Sequence, residues 1–190
     1  PFTLGGVDVD AKADEKPVRQ IYLDPYCIDI TEVSNMDYLA YLTSTNTSQT
    51  NLYPNNNYPA VNVTWYEADN YCQNFGKSLP NEYQWEKAAR GGDDKRIYPW
   101  GDERELSNAN IENLQFFMSF VDEFEAGRSP YGVLNMAGNA AEWTQDWYVE
   151  NWYGKLPDIG RNPVGPKSTE SITKVVRGGY MVQTLENARV

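Results

Sequence analysis

The chain has 190 residues and a mass of 21.7 kDa, a length suited to one domain with a true hydrophobic core and no need of covalent staples. Lys and Arg total 16 against 27 Asp and Glu, a formal charge of −11 that repels a phosphate backbone and excludes nucleic acid as a partner. Histidine is absent, which removes Ser-His-Asp and Cys-His nucleophile systems and any His-ligated zinc or non-haem iron centre.

In chain order, Arg19-Gln-Ile-Tyr-Leu23 alternates and predicts a strand, and Cys27-Ile-Asp-Ile30, rich in β-formers, predicts a second. Ser34 ahead of Asn-Met-Asp37 predicts a helix through Tyr38-Leu-Ala-Tyr-Leu42, with an acidic residue in the first turn where the helix dipole favours it. Residues 43–57 read as a polar surface excursion. Thr64 and Glu67 form a capping box for a helix carrying Trp65, Ala68, Tyr71 and Cys72, stopped at Gly76. Asn81 and Gln84 form another after Pro80, for a helix through Trp85 to Ala89 that ends at Gly91-Gly92. Residues 149–171 read as a second excursion, and Ile172 to Arg177 predicts a strand running into Gly178-Gly179. The sum is a loop-rich α+β domain over residues 1–190, with no internal repeat and no domain boundary.

No apolar run approaches membrane-spanning length, and mean hydropathy is −0.66. The sequence starts at Pro1 with no initiator Met and no signal-like segment, which reads as a piece of a longer product. Cys27 and Cys72, the two cysteines, lack Cys-x-x-Cys spacing and are expected as buried, inert thiols or as a bridged pair.

The stretch Asn135-Met-Ala-Gly-Asn-Ala-Ala-Glu142-Trp143-Thr-Gln-Asp-Trp147 has two readings. Asn135, Gly138, Ala140 and Glu142 offer an amide oxygen, two carbonyls and a carboxylate, the hard-oxygen set that Ca²⁺ takes. Alternatively, Asn139 is a helix N-cap and Glu142 closes its capping box.

Several segments together resemble the formylglycine-generating-enzyme, or sulfatase-modifying-factor, domain family, a variant of the C-type-lectin fold. They are Phe2-Thr-Leu-Gly5; Tyr22-Leu-Asp24; Asp29-Ile-Thr-Glu32-Val-Ser-Asn35; Tyr58-Pro-Ala-Val-Asn62-Val-Thr-Trp65; Gly76-Lys-Ser-Leu-Pro-Asn-Glu82 leading to Trp85-Glu86; Ala88-Ala-Arg-Gly-Gly92; Tyr98-Pro-Trp-Gly101; the 135–147 stretch; and Arg177-Gly-Gly179. The match covers nearly the whole chain. The resemblance implies a compact domain with little regular secondary structure, stabilised by Ca²⁺ on the counterparts of Asn135, Gly138, Ala140 and Glu142. It implies a second Ca²⁺ site at a pair resembling Asn110-Ile111, but the loop that follows, residues 112–120, is shortened and has no aligned Asp. Relatives also continue to a further strand beyond the counterpart of Val190, and its absence would leave a sheet edge open to another polypeptide.

Active members of that family carry, beyond Arg-Gly-Gly, two cysteines that hold Cu(I). Here Gln183 and Ala188 stand near those places, so the resemblance implies no copper site. Met181, a lone thioether, makes a poor substitute. The ergothioneine-pathway branch needs His around iron, so iron is not expected either.

Two functions follow. One is a non-catalytic, Ca²⁺-stabilised binding or assembly module with a protein partner, its anchors sought among Trp147, Trp152 and Tyr153. The other is a copper-free maturation or oxidative enzyme acting on an extracytoplasmic peptide or pigment precursor through groups such as Glu142, Asp146, Tyr148 or Arg177. A weak, oxygen-only Ca²⁺ site fits the millimolar Ca²⁺ outside the cytoplasm, and an exported, periplasmic or cell-surface location is expected. The sequons at Asn46 and Asn62 add little to that.

Overall fold

The computed structural model describes residues 1–6, 8–48, 56–92 and 96–190. Eight short elements carry the regular structure: β1 (Phe2–Leu4), β2 (Arg19–Tyr22), α1 (Asn35–Ser44), α2 (Trp65–Asn74), α3 (Glu82–Arg90), β3 (Glu142–Trp147), β4 (Ile159–Arg161) and β5 (Lys174–Arg177). Single 3-10 turns punctuate the loops between them.

The three helices begin where their side chains can satisfy free N–H groups. Ser34 accepts from the Asp37 N–H, and full capping boxes form at Thr64 with Glu67 and at Asn81 with Gln84. Gly76 and Gly91, both at positive φ, follow the ends of α2 and α3.

The strands form two small sheets. In one, β2 is central, antiparallel to β1 and parallel to β4. In the other, β3 and β5 pair antiparallel, with a register shift between Trp143 and Trp147. The expected strand at Cys27–Ile30 does not form. That segment has no strand neighbour and is held through single contacts, such as Leu134 N–H to the Ile30 carbonyl at 2.7 Å and Lys77 to Asp29 at 2.8 Å.

The 149–171 stretch is more ordered than a surface excursion. It holds a 3-10 turn at Trp152–Lys155 and the strand β4, too short to leave a periodic signal. Of the 43–57 stretch, Thr43 and Ser44 complete α1, and residues 49–55 lie outside the described residues.

Three clusters make the core: Phe2, Leu4, Ile21, Tyr83 and Tyr153; Trp85, Ala88, Met136 and Val190; and Tyr98, Ile111, Ala137, Leu185 and Ala188. The first draws mainly on β1, β2 and α3, while the other two draw on loops as well as on regular elements. Beyond β5 the chain turns inward, with Leu185 and Ala188 fully buried and the Val190 N–H bonded to the Ile97 carbonyl at 2.9 Å. β5 itself has β3 on one side, and among the described residues no strand lies on its other edge.

Loop-on-loop packing brings backbones close, and Gly138 shows this best. Its φ is +86°, and a Cβ there would sit 2.3 Å from the Asn110 carbonyl oxygen. Gly132, at φ +82°, has open space instead. Gly138→Ala should therefore cost more than about 2 kcal/mol in denaturant unfolding, while Gly132→Ala costs about 1 kcal/mol. Equal losses would show that the backbone conformation, rather than the contact with Asn110, sets the cost.

Candidate functional site

Residues 133–140 form a continuous buried run beneath the surface loops. Its path depends on left-handed residues: Asn135 at φ 54°, Gly138 at 86° and Asn139 at 56°. The chain then straightens into β3, with Glu142 paired to Arg177 of β5. The helix-capping reading of Asn139 and Glu142 is thus corrected: Glu142 opens a strand. Asn139 instead bonds laterally, its Nδ2 to Glu32 Oε1 at 2.9 Å and its Oδ1 accepting from the Ser119 N–H at 2.8 Å.

The four expected cation ligands lie along residues 135–142, with Asn135, Gly138 and Ala140 in the buried run and Glu142 at the start of β3. Asn135 donates its Nδ2 to Glu32 Oε2 at 2.7 Å and to the Val121 carbonyl at 3.2 Å. Glu142 accepts from the Trp85 indole N–H at 2.9 Å. Glu32, 103 residues before Asn135, adds a second carboxyl to this segment. Its carboxyl is held well above the ordinary range, by burial first and by the Glu142 charge second. Glu142 is pushed up to about 7 by burial, against the Trp85 N–H. The donors to both are neutral: two asparagine amides and the Ala140 N–H for Glu32, an indole for Glu142.

With only neutral donors around them, burial favours the protonated form of both carboxyls, and a bound cation would favour the ionised form instead. Among the described residues, no three His, Cys, Asp or Glu side chains cluster as metal ligands. A cation here would therefore rely on amide and carbonyl oxygens, and the donor set of Asn135, Gly138, Ala140 and Glu142 fits Ca²⁺ in kind.

At the second place, Asn110 is 1% exposed and donates Nδ2 to the Phe117 carbonyl at 2.9 Å and to Asn139 Oδ1 at 3.1 Å. Its Oδ1 is buried with no partner among the described residues, an acceptor a cation would satisfy. The adjoining Ile111 is fully buried. The nearest acid in the chain, Glu112, is committed to Arg104 and the Leu185 N–H. The second site therefore has its amide oxygen and lacks an acidic ligand.

The groups considered for catalysis are each engaged with other residues of the chain. Arg177 pairs with Glu86 at 3.0 Å and Glu82 at 3.5 Å, over the Trp85 ring at 5.2 Å. Burial pushes Glu82 up to about 7 even beside Arg177. Asp146 accepts from the Glu82 N–H at 2.6 Å at the start of α3, and Tyr148 donates to Asp14 at 2.9 Å. Arg177→Met takes one of two cations from Glu86, which keeps Arg90, and the ion pair from Glu82, which keeps the Tyr153 hydroxyl, and should cost about 3 kcal/mol in denaturant unfolding; a loss below about 1 kcal/mol would show the network to be solvated.

The three candidate anchors pack inward or against the chain's own cation. Tyr153 is 3% exposed and donates to Glu82 at 3.1 Å, and Trp152 donates to the Tyr83 hydroxyl at 2.9 Å. Trp147 and Trp65 sandwich Lys174, whose Nζ lies 3.9 and 3.8 Å from their ring centres. Trp147 and Trp152 are half-buried, each with a lysine over its ring, Lys174 and Lys155 respectively.

What the structure offers instead is a groove of about 1080 Å³ between the irregular segment 26–33, the inner side of α2 and the 133–143 loop. Ile28, Val61, Ala68, Leu79, Met136 and Trp143 supply apolar walls, and Glu32 and Glu142 line it as well. No run of sequence announces it, because its walls come from many separated stretches. Cys27 and Cys72 also line it as free thiols, Cys27 exposed and Cys72 half-buried, contrary to the expectation of two buried residues. The Cys72 thiol is raised by burial and by Asp69 and Asp29. Beyond Gly179, Tyr180, Met181 and Val182 line the groove as well, Gln183 closes a turn by accepting from the Tyr180 N–H at 3.2 Å, and Ala188 is fully buried in core.

Comparison with known proteins agrees with this architecture. The Sulfatase-modifying factor enzyme 1-like domain matches residues 2–190. The chain is 32% identical over 200 residues to the serine/threonine-protein kinase pkn1 of Chlamydia pneumoniae, covering 94% of this chain and 31% of that protein. It thus spans less than a third of that kinase's length. It is 29% identical over 240 residues to the formylglycine-generating enzyme of Thermomonospora curvata, covering 94% of this chain and 78% of the enzyme. The structure of PvdO from Pseudomonas aeruginosa superposes with a TM-score of 0.78 at 22% identity, over 100% of this chain and 84% of that one. The order of helices, the small sheets and the matched span together place the chain in the sulfatase-modifying factor enzyme 1-like domain family.

Proposed function

We propose that this domain is a non-catalytic, Ca²⁺-stabilised binding module that serves a partner or a longer parent chain through its apolar groove. The observation that carries the reading is the groove, whose apolar walls the chain leaves uncovered while it fills the region around Ala188 with core. The resemblance puts copper-holding cysteines at Gln183 and Ala188, and neither residue offers the soft thiolate that Cu(I) requires. The kinase relative, of which this region is about a third, supports the idea of a module carried on other functions. Asn135, Gly138, Ala140 and Glu142 would hold the Ca²⁺, which would favour the ionised form of the carboxyls. An extracytoplasmic setting with millimolar Ca²⁺ suits such a site.

A second reading, a copper-free enzyme, is favoured by one observation: Glu142 lines the groove with its carboxyl raised to about 7, where an acid–base group works. Two measurements separate the readings. The neutral dye N-phenyl-1-naphthylamine should brighten on the folded protein, and Ala68→Phe, which fills the groove, should abolish the effect without lowering the melting temperature. No dye binding, or aldehyde formation on a cysteine-containing peptide in the presence of Cu(I), would overturn the module reading.

The pH dependence follows from Glu142. Its ordinary value is 4.5 and its folded value about 7, so its contribution to stability is complete below about 4.5 and is lost as pH rises through 7. Glu82 acts with the same sign. Without metal, Tm should fall between pH 5 and pH 7.5, by amounts on the order of a few degrees. Ca²⁺ binds the ionised form, so the rise in Tm on adding it should be larger at pH 7.5 than at pH 5. An equal rise at both pH values would place the metal away from Glu142.

A further inference from the structure

The groove is walled by backbone as well as by apolar side chains. Residues 26–29, 59–63, 76–80 and 139–143 reach it as unbroken runs. Side chains of an extended chain alternate between two faces, so consecutive residues border one cavity where the chain turns its edge, with its row of N–H and C=O groups, toward it. Segment 26–29 does this most openly. Residues 23–29 contain no helix, turn or bend, and among the described residues no backbone N–H or C=O of 26–29 has a hydrogen-bond partner. Its flanks are tied, the Tyr22 carbonyl to the Asn162 N–H at 2.8 Å and the Ile30 carbonyl to the Leu134 N–H at 2.7 Å. Side chains hold the segment itself: the Tyr26 hydroxyl donates to the Gln84 carbonyl at 2.7 Å, and Asp29 accepts from Lys77 at 2.8 Å. A β-forming sequence is thus held in place with an open edge and no neighbour.

The charges on the groove select among occupants. Asp29, Glu32 and Glu142 line it, and Lys77, the one base among its lining residues, is committed to both oxygens of Asp29. A basic group entering there would favour the ionised form of Glu32 and Glu142, which burial otherwise keeps toward the protonated one. A lipid tail or other apolar molecule would cover the walls and leave the edge of 26–29 buried and unbonded, at a cost for each polar group. An extended polypeptide satisfies both walls and edge.

We propose that the groove takes an extended segment of a separate polypeptide, which adds as a β-strand to the edge of residues 26–29, seats alternate apolar side chains on the groove walls and carries a basic residue toward the acidic lining. Main-chain hydrogen bonds would supply affinity and the walls specificity, as in other strand additions. The inference rests on the groove reading above and names its occupant.

The test uses the whole chain in buffer containing Ca²⁺, so that the cation expected at Glu142 stays constant. Nine-residue peptides are selected from a displayed random library, and the tightest is synthesised. Its sequence should alternate apolar residues and include Lys or Arg without Asp or Glu. It should displace N-phenyl-1-naphthylamine, slow amide exchange at Cys27, Ile28 and Asp29 by at least tenfold, and protect the Cys27 thiol from iodoacetamide. N-methylation of successive peptide amides should weaken binding roughly tenfold at every second position and little at those between, because only alternate amides face the paired strand. Exchanging the basic residue for Glu should weaken it roughly tenfold or more, and Ala68→Phe in the protein should abolish binding.

If the dye does not bind, the groove reading falls and this inference with it. If the dye binds but no selected peptide displaces it, or the N-methyl losses lack a period of two, or the amides of 27–29 exchange as before, strand addition alone is overturned. An acidic consensus overturns it too, and so does a dimer of the chain that Ala68→Phe dissolves, which would give the groove to a second copy.

Discussion

One buried carboxylate holds the halves of this domain together. Glu86, 1% exposed on α3, accepts the Gly5 N–H at 2.7 Å and pairs with Arg90 at 3.2 Å and Arg177 at 3.0 Å. These contacts join the first strand, the central helix and the last strand at a single group. Arg90 continues to the Val190 carbonyl, and Arg177 lies over Trp85. A charge this deep is tolerated because two cations and an amide surround it, and each of those cations is in turn costly without it. The small sheets and short helices could not fix one another's positions through area alone, and this polar centre sets their registry.

The same helix organises the candidate site. Successive positions of α3 reach different walls: Glu82 meets Asp146 through its N–H, Trp85 meets Glu142 through its indole, and Glu86 meets Arg177. The segment expected to hold a cation is thus tied to α3 through the Trp85 indole. The groove lies against α2, the irregular segment 26–33 and this same 133–143 stretch, so Glu32 and Glu142 line it.

What could be read from the sequence was local. The caps at Ser34, Thr64 and Asn81 and the stop at Gly91 depend on residues three or four apart, and all stand as expected. Glu142 could have opened a helix or a strand by local rules alone. Its pairing with Arg177, 35 positions on, decided for the strand. β4 exists because β2 lies beside it, and Cys27–Ile30 fails as a strand because nothing does. The residues expected to hold a cation, Asn135 to Glu142, could be picked out because they are close together in sequence. Glu32 was not legible, since its contacts are amides more than 100 residues away. Nor does anything near Trp147 in sequence announce that Lys174 will lie over its ring.

α2 is a ten-residue helix with good caps and no fully buried residue. Its inner side, with Ala68, Tyr71 and Cys72, looks into the groove rather than onto packed core. Such a helix keeps its shape by its ends more than by its face, and its backbone hydrogen bonds open more readily than those of α3. Whatever occupies the groove would complete the packing that the chain leaves unfinished. Occupancy and the stiffness of α2 are then one equilibrium, and part of the binding free energy appears as slowed hydrogen exchange along this helix.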